Sequence, residues 1–491
     1  MLRLKNPDGS YDILETTPEN TRRVLASEPL YAADTDDPNF MAPDEIRALQ
    51  NRNLRRQLER VKEGSAYYKE LFKREKIYED RIETVDDLVR LPLTRKADYM
   101  RDPEAFRLKP SSPTLYDWLW DVTYTTGTTT GIPTPFYNTI HDAYATYQLI
   151  FRAVKIGGAL STTRVVNLFP LGPIPHVGFL RARDIITMTP FCQGSFACTG
   201  MPHPEFKIHR SLDYAVELVE AIEGQGLVGI ASFIRRVIMK AEQEGRDYSH
   251  VHGVEMLGEA APKGMRDDVR IRLENMGADR PFIANSYGFT EMQGAMSECE
   301  EFSGCHNPDD GLYFFEVVDE KTLERVPDGE VGLLLITHLN RTGTVLLRYV
   351  VGDYAAITHE PCPLCGRTGT RVQIAVGSTY ATRTGDLVNL KGTLINPEIL
   401  MDEIANTAGI AEYQVVFTKK DPADPYSPDE LVIRVGKLPD RSEKDIEDEL
   451  QQRIQRAVEM RARIEFAELS EIFDPEVSFK ATRVVDLRPK E

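Results

Sequence analysis

The chain has 491 residues, of which 41% are hydrophobic and 28% charged, and its formal net charge is −18. This length is too great for one ordinary core, so we expect two or three domains in a soluble globular protein rather than a disordered or fibrous one. The negative charge argues against nucleic acid and anionic membranes as partners, and we expect neither a secretory signal nor a membrane span.

The N-terminal residues 1–44 are polar and show little periodicity, so they are predicted to be an extension. From Pro43 onward, apolar residues such as Ile46, Leu54 and Val61 recur at helical spacing, which predicts a helix. A second short helix is expected at residues 85–91.

The middle of the chain alternates between strand and helix patterns. Residues 227–230 are a short apolar run that predicts a strand, and further strands are predicted at 254–257 and 282–284. Helices are predicted between them, one capped by Ser232 and one beginning at Pro262. This alternation is typical of a mainly parallel sheet covered by helices, in which ligands bind where loops leave the strand ends.

The last hundred residues follow another pattern. Strands are predicted at 413–417, 431–435 and 464–469, with a long charged helix at 444–460. The fold class is therefore α/β, with a large N-terminal domain over residues 45–384 and a small, mobile C-terminal α+β domain over residues 385–491.

A threonine-rich segment stands out at residues 124–134. Its glycines allow close approach of the backbone to an anion, and its hydroxyl and amide groups are donors for phosphate. No lysine follows the second glycine, which excludes a mononucleotide P-loop. An ordinary surface turn is the alternative. The residues expected to hold phosphate are Thr126, Gly127, Thr128, Thr129, Thr130 and Gly131.

A second motif runs from Asn285 through Ser286, Tyr287, Gly288 and Phe289 to Thr290 and Glu291, directly after an apolar strand. Together with the threonine-rich segment, it resembles the adenylate-forming enzymes, and the phenylacetate–CoA ligase-like branch in particular. The threonine-rich segment departs from that family by one extra threonine and by Ile132 before the proline. A turn that leads into a helix at Thr290 is the alternative.

The resemblance implies a role for each residue of the second motif. Tyr287 is expected to stack on adenine, Asn285 to meet the adenine amino group, and Thr290 to contact the α-phosphate. Glu291 is expected to hold Mg²⁺, which prefers carboxylate oxygen and bridges to phosphates.

Further segments match the same family in chain order. The resemblance implies that Asp353 accepts hydrogen bonds from the ribose, Arg383 reaches ribose or phosphate, and Gly385 is the hinge. Lys480 is expected to be the mobile catalytic lysine, and His176 lies at the family's acyl-pocket position. Backbone bordering adenine is expected from Gly258, Glu259 and Ala260.

The resemblance implies a reaction that uses ATP, Mg²⁺, a carboxylic acid and coenzyme A. An acyl-adenylate forms first, and the acyl group then passes to the thiol with release of AMP. The branch suggests a small aromatic acid. One alternative is an adenylating enzyme that loads a carrier protein or an amine, and another is a catalytically silent sensor of nucleotide or acid.

Four of the six cysteines fall in two local groups, which suits metal binding in a reducing cytoplasm. Cys299 precedes His306 by seven positions, and Cys362 and Cys365 stand in a Cys-Pro-Leu-Cys-Gly turn of zinc-binding shape. Some relatives in the branch carry this arrangement, which implies structural Zn²⁺. Cys305 is a competing ligand, and unrelated buried thiols are the alternative. We expect a cytoplasmic protein and leave a homodimer open.

Overall fold

The computed structural model describes residues 1–77, 81–125, 133–159, 163–171, 177–188, 193–196, 199–200, 211–374, 388–390, 393–421, 427–458, 460–475 and 481–488. None of the helices among them is both long enough and apolar enough to cross a membrane. The α-helices are Pro18–Ser27, Pro29–Ala32, Pro43–Gly64, Ala66–Glu75, Lys96–Arg101, Ile140–Ile156, Val177–Met188, Ser211–Ala221, Ala231–Gln243, Lys263–Asn275, Pro397–Ala405, Glu443–Val458 and Leu469–Ile472.

The predicted parallel sheet is present, and it has five strands. In spatial order these strands are Phe282–Asn285, Gly253–Leu257, Gly226–Ile230, Arg164–Asn167 and Gln193–Phe196. Every described pairing between them is parallel. Apolar side chains of the sheet and of its covering helices form one buried core, which includes Val166, Leu227, Val237, Val254 and Ile283. The α/β prediction is confirmed.

A second large sheet is antiparallel, which the sequence analysis did not predict. Its six strands, in spatial order, are Ser297–Glu298, Cys305–His306, Arg371–Ile374, Tyr349–Thr358, Gly332–His338 and Tyr313–Val318. All residues of Tyr313–Val318 and Gly332–His338 are buried, so these strands lack the polar alternation that marks a half-exposed strand. The sheet has its own core with the helix Pro43–Gly64.

The N-terminal residues are more ordered than their composition suggested. Leu2–Lys5 pairs with Tyr11–Leu14 as an antiparallel hairpin, followed by the helix Pro18–Ser27. Buried ion pairs then join Asp34 to Arg152 and Lys155, which lie on the helix Ile140–Ile156. Burial raises the cost of leaving either charge unpaired, so these pairs fix the extension to the large sheet-containing unit.

The C-terminal residues form a separate unit around a four-stranded sheet. The strands, in spatial order, are Arg463–Phe466, Asp429–Lys437, Ile410–Lys419 and Val484–Asp486. Their core, which includes Leu400, Phe417, Ile433 and Leu450, shares no residue with the other cores. The predicted boundary between residues 384 and 385 lies outside the described residues and stays a prediction.

Three antiparallel hairpins and one short parallel pair complete the described strands. The pair Leu119–Tyr124 and Pro135–Thr139 matters most for the site, because the threonine-rich segment lies between these two strands in sequence. The remaining pairs are Val388–Leu390 with Thr393–Ile395, and Pro170–Leu171 with Thr199–Gly200.

Candidate active site

Two loops that leave adjacent parallel strands bring two of the predicted nucleotide-binding segments together. Met256 and Asn285 are register partners at the carboxyl ends of their strands, and the Ser286 amide donates to the Met256 carbonyl at 2.8 Å. Gly258 then turns the first loop with φ +76°, a backbone conformation that a side chain disfavours. The segment 258–260 therefore lies beside the start of the 285–291 motif, at the end of the sheet where ligands bind.

A buried ion pair clamps these two loops. Arg266 donates to the Ala261 carbonyl at 2.9 Å and pairs with Glu298 at 2.7 Å. Glu298 in turn accepts the Asn285 amide at 3.1 Å and the Phe302 amide at 3.2 Å. Burial raises the pKa of Glu298, and Arg266 opposes that rise. The Arg266–Glu298 pair therefore connects the loop after Gly258 to the loop that begins at Asn285, and both loops were predicted to border adenine.

Glu259 has a role that the sequence did not show. Its Oε2 accepts the Ser232 amide at 2.9 Å, so Glu259, rather than Ser232, caps the start of the helix Ala231–Gln243. The Ser232 hydroxyl instead accepts the Ala481 amide at 3.4 Å. The residue that follows Lys480 therefore contacts the large unit beside the predicted adenine loop.

Tyr287 and Asp353, predicted to contact base and ribose, are hydrogen-bonded to each other. The Tyr287 hydroxyl donates to Asp353 Oδ2 at 2.5 Å, although the two residues are 66 positions apart. Asp353 is buried and lies on the strand Tyr349–Thr358. The phenol ring and the carboxylate are thus held at one spacing by groups of the protein itself.

Glu291 is buried, and both its carboxylate and its backbone carbonyl are hydrogen-bonded. Its Oε1 accepts the Tyr349 hydroxyl at 2.7 Å. Its carbonyl accepts from His338 Nε2 at 3.0 Å; Nε2 must carry the proton because Nδ1 accepts the Leu346 amide. Burial raises the pKa of Glu291 and lowers that of His338 well below its usual value. The site thus presents a carboxylate whose charge is little solvated and which gains from a nearby cation.

Lys96 is a functional candidate that the sequence analysis did not name. It begins the helix Lys96–Arg101, and its positive charge opposes the burial that raises the pKa of Glu291. Its signal in the sequence, one lysine after Leu-Pro-Leu-Thr-Arg, does not differ from that of a solvated surface lysine.

The four predicted metal ligands converge. Their donor atoms all lie within 4.8 Å of one another, and all four residues are buried. Cys299 Sγ lies 3.8 Å from Cys362 Sγ and 3.3 Å from His306 Nε2, which is 3.5 Å from Cys365 Sγ. A tetrahedral ion with bonds of about 2.3 Å to sulfur and about 2.0 Å to nitrogen needs ligand separations of about 3.5–3.8 Å. The donor set therefore fits such an ion.

Cys305 lies outside this cluster. Adjacent residues of a strand point to opposite faces, so Cys305 and His306 diverge. The Cys305 thiol donates to the Asn285 carbonyl at 3.5 Å instead, and burial raises its pKa. His306, not Cys305, is the fourth member of the cluster.

Several predicted residues lie outside the part of the chain that the structure describes, and their roles stay predictions. These are Thr126, Gly127, Thr128, Thr129, Thr130, Gly131, His176, Arg383, Gly385 and Lys480.

Comparison with known proteins supports the resemblance seen in the sequence. No family model matches the chain. The phenylacetate–coenzyme A ligase of Thermus thermophilus is 25% identical over 78% of this chain and 80% of its own length. That of Aromatoleum evansii is 23% identical over 91% of this chain and 96% of its own length.

A solved structure shares the fold. The 2-hydroxyisobutyryl-CoA ligase in its postadenylation state, in complex with R3-HIB-AMP, superposes with a TM-score of 0.75 at 20% identity, covering 92% of this chain and 91% of that one. The sequence comparisons support the resemblance to phenylacetate–coenzyme A ligases, and the chain shares the fold of the solved 2-hydroxyisobutyryl-CoA ligase.

Proposed function

We propose that this protein activates a carboxylic acid with ATP and transfers the acyl group to coenzyme A. The observation that carries the proposal is the convergence of Tyr287, Asp353, Thr290 and Glu291 at the carboxyl end of a parallel sheet. Asp353 lies on a strand of the antiparallel sheet, whereas Tyr287, Thr290 and Glu291 follow a strand of the parallel sheet. A tyrosine–carboxylate hydrogen bond and a buried glutamate are part of this arrangement. Such arrangements are typical of functional sites.

The first half-reaction joins two anions. A carboxylate oxygen of the acid attacks the α-phosphorus of ATP, the bond to the bridging oxygen breaks, and pyrophosphate leaves with the electron pair. Thr290 is proposed to donate to the α-phosphate, and Lys480 to neutralise the approaching negative charges. Glu291 would hold Mg²⁺, which would supply charge neutralisation on the phosphates.

The second half-reaction needs a different surface over the same carbonyl. The sulfur of coenzyme A attacks the acyl carbon, the thiol proton leaves to solvent, and AMP departs with the oxygen of the mixed anhydride. We propose that the C-terminal unit turns about Gly385 between the two steps and takes Lys480 out of the site.

The acid is proposed to be small and aromatic, because two relatives are named for phenylacetate. The test is AMP release over a panel of benzoate, phenylacetate, their hydroxylated forms and 2-hydroxyisobutyrate, with and without coenzyme A. We expect release that requires both acid and coenzyme A. Acid-dependent pyrophosphate exchange without coenzyme A-dependent turnover would favour transfer to a carrier or an amine, and neither activity would favour a sensor.

We further propose that Cys299, His306, Cys362 and Cys365 hold one structural Zn²⁺. All four positions are protein groups, so the ion has no open site for catalysis. Metal analysis of the purified protein should find about one zinc per chain, lost in Cys362→Ser but kept in Cys305→Ser, since Cys305 lies outside the cluster. Less than half an equivalent in the unaltered protein would contradict the assignment.

A further inference from the structure

Gln293 lies two residues after the predicted metal-binding Glu291 and is not one of the site residues predicted from the sequence. It is completely buried, and its φ is +56°, a left-handed conformation that a non-glycine residue adopts only at a cost. It ends the short 3₁₀ helix Thr290–Met292, where glycine would satisfy the backbone more cheaply. The Gln293 side chain is therefore expected to make stabilising contacts that glycine could not make.

The Gln293 amide group makes four hydrogen bonds. Its nitrogen donates to the Thr290 carbonyl at 2.5 Å and to the Thr123 hydroxyl at 2.8 Å. Its oxygen accepts from Arg181 at 2.6 Å and from Asn138 at 3.0 Å. Two donors and two acceptor positions are all that an amide has, so the group is fully used.

The partners belong to the two elements that must cooperate on phosphate. Thr123 lies on the strand Leu119–Tyr124 and Asn138 on its partner Pro135–Thr139, and the threonine-rich segment connects these strands. Thr290 belongs to the turn that carries Glu291. The link is continued by Asp121, which accepts from Asn138 at 2.6 Å and pairs with Arg181 at 2.9 Å.

We propose that Gln293 is a positioning residue that sets the distance between the hairpin of Leu119–Tyr124 and Pro135–Thr139 and the Thr290–Glu291 turn during adenylation. This inference rests on the proposed function, because it assigns those two elements to the same polyphosphate. The structural argument stands on geometry alone: one rigid, fully bonded amide joins both strands of one element to the backbone of the other. A misplacement of about 1 Å at a reacting centre can cost about 100-fold in rate.

The test compares Gln293→Glu, which keeps the shape but removes both donors, with Thr123→Val, which removes one acceptor. Thr123→Ser restores the hydroxyl and should restore the wild-type behaviour. Gln225→Glu is the matched control, since Gln225 is a buried glutamine at the opposite end of the sheet. The acid is whichever member of the panel turns over fastest.

We expect Gln293→Glu to lower the kcat of acid-dependent ATP–pyrophosphate exchange by about 30- to 100-fold, with the KM for ATP changed less than about threefold. Thioester formation from supplied acyl-adenylate should remain within about twofold of wild type, because pyrophosphate has already left. Equal losses in both half-reactions, or no loss in Thr123→Val, would overturn the proposal.

Hydrogen exchange measured without any substrate separates this proposal from the proposed function. Gln293→Glu should speed amide exchange in residues 119–125 and 133–139, while Gln225→Glu should not. Unchanged exchange in that hairpin would overturn the positioning role even in an active enzyme. Faster exchange in a chain with no ligase activity would uphold the link and reject the proposed function instead.

Discussion

The Thr290–Gln293 turn and the Ala481–Arg483 segment approach the predicted site from different units, and they are held in different ways. The turn is bonded from every side: Met292 accepts from Tyr313 at 2.5 Å, Gln293 makes four bonds, and His338 holds the Glu291 carbonyl. The C-terminal segment meets the large unit through the Ala481 amide at 3.4 Å, while Arg483 pairs with Glu412 of its own unit.

We interpret this contrast as a difference between a fixed nucleotide side, which includes the Thr290–Gln293 turn, and a C-terminal segment that is proposed to move. In the proposed cycle, the nucleotide side would keep one geometry through both half-reactions, which is compatible with buried charges that are already paired. The segment that carries Lys480 would dock for one step and leave for the next, so strong contacts there would slow the proposed cycle. The predictions below test whether the two sides really differ in this way.

The largest effect is expected for Lys480→Ala. Removing the proposed mobile cation should lower acid-dependent pyrophosphate exchange by about 100- to 1,000-fold and leave ATP affinity nearly unchanged. Thioester formation from supplied acyl-adenylate should persist. Wild-type exchange in this variant, measured with labelled pyrophosphate, would reject the assignment of the lysine.

The fixed side is tested by Arg266→Met. Leaving the buried Glu298 unpaired should cost about 3–5 kcal/mol of unfolding free energy and weaken ATP binding, because both adenine loops lose their anchor. Arg280→Met is the control, since the Arg280–Asp279 pair is exposed and worth about 0–1 kcal/mol. Denaturant unfolding and ATP titration measure the two effects; equal stability losses in the two variants would remove the distinction.

The metal preference of the fixed side is tested by Glu291→Gln. Loss of the carboxylate charge should raise the Mg²⁺ concentration for half-maximal exchange by at least about tenfold, or about 1.4 kcal/mol. The exposed Glu274 gives the control, Glu274→Gln. An unchanged Mg²⁺ titration in Glu291→Gln would show that the ion is held elsewhere.

The smallest effect is expected where the units touch. A Cβ on Gly264 would lie 2.1 Å from the Ala405 carbonyl oxygen, so Gly264→Ala must push the C-terminal unit away. Because that unit can yield, we expect about a fivefold loss of adenylation, near 1 kcal/mol, with the thioester step unaffected. Gly157→Ala, whose Cβ meets nothing nearer than 3.7 Å, is the control. If Gly264→Ala lowered the rates of adenylation and of thioester formation by the same factor, the contact between Gly264 and Ala405 would not be specific to the adenylation step.

The sequence predicted the elements whose signal is local. The strand 226–230 is a continuous apolar run, the strand 253–257 is apolar apart from Glu255, and the 285–291 motif is carried by seven adjacent residues. The cluster of Cys299, His306, Cys362 and Cys365 could be predicted because cysteine and histidine are scarce and their spacing is specific.

The interactions that the sequence did not predict join residues that are distant in the chain. Gln293 bonds to Thr123 and Asn138, which lie 170 and 155 positions upstream, and Arg266 pairs with Glu298 across 32 positions. A buried polar residue looks the same in sequence as an exposed one, because only the fold reveals its partners. The capping role of Glu259 was missed for the same reason.

The separateness of the C-terminal core has a thermodynamic consequence. No residue of that core belongs to either of the two large cores. Among the described residues, the contacts between the units include Gly264, Arg235 and Ala481, so a rotation of the unit would expose this seam and leave the three described cores intact. Since the free energy of exposing apolar surface scales with its area, a swing of a hundred residues can be nearly isoenergetic and can reverse once in every turnover.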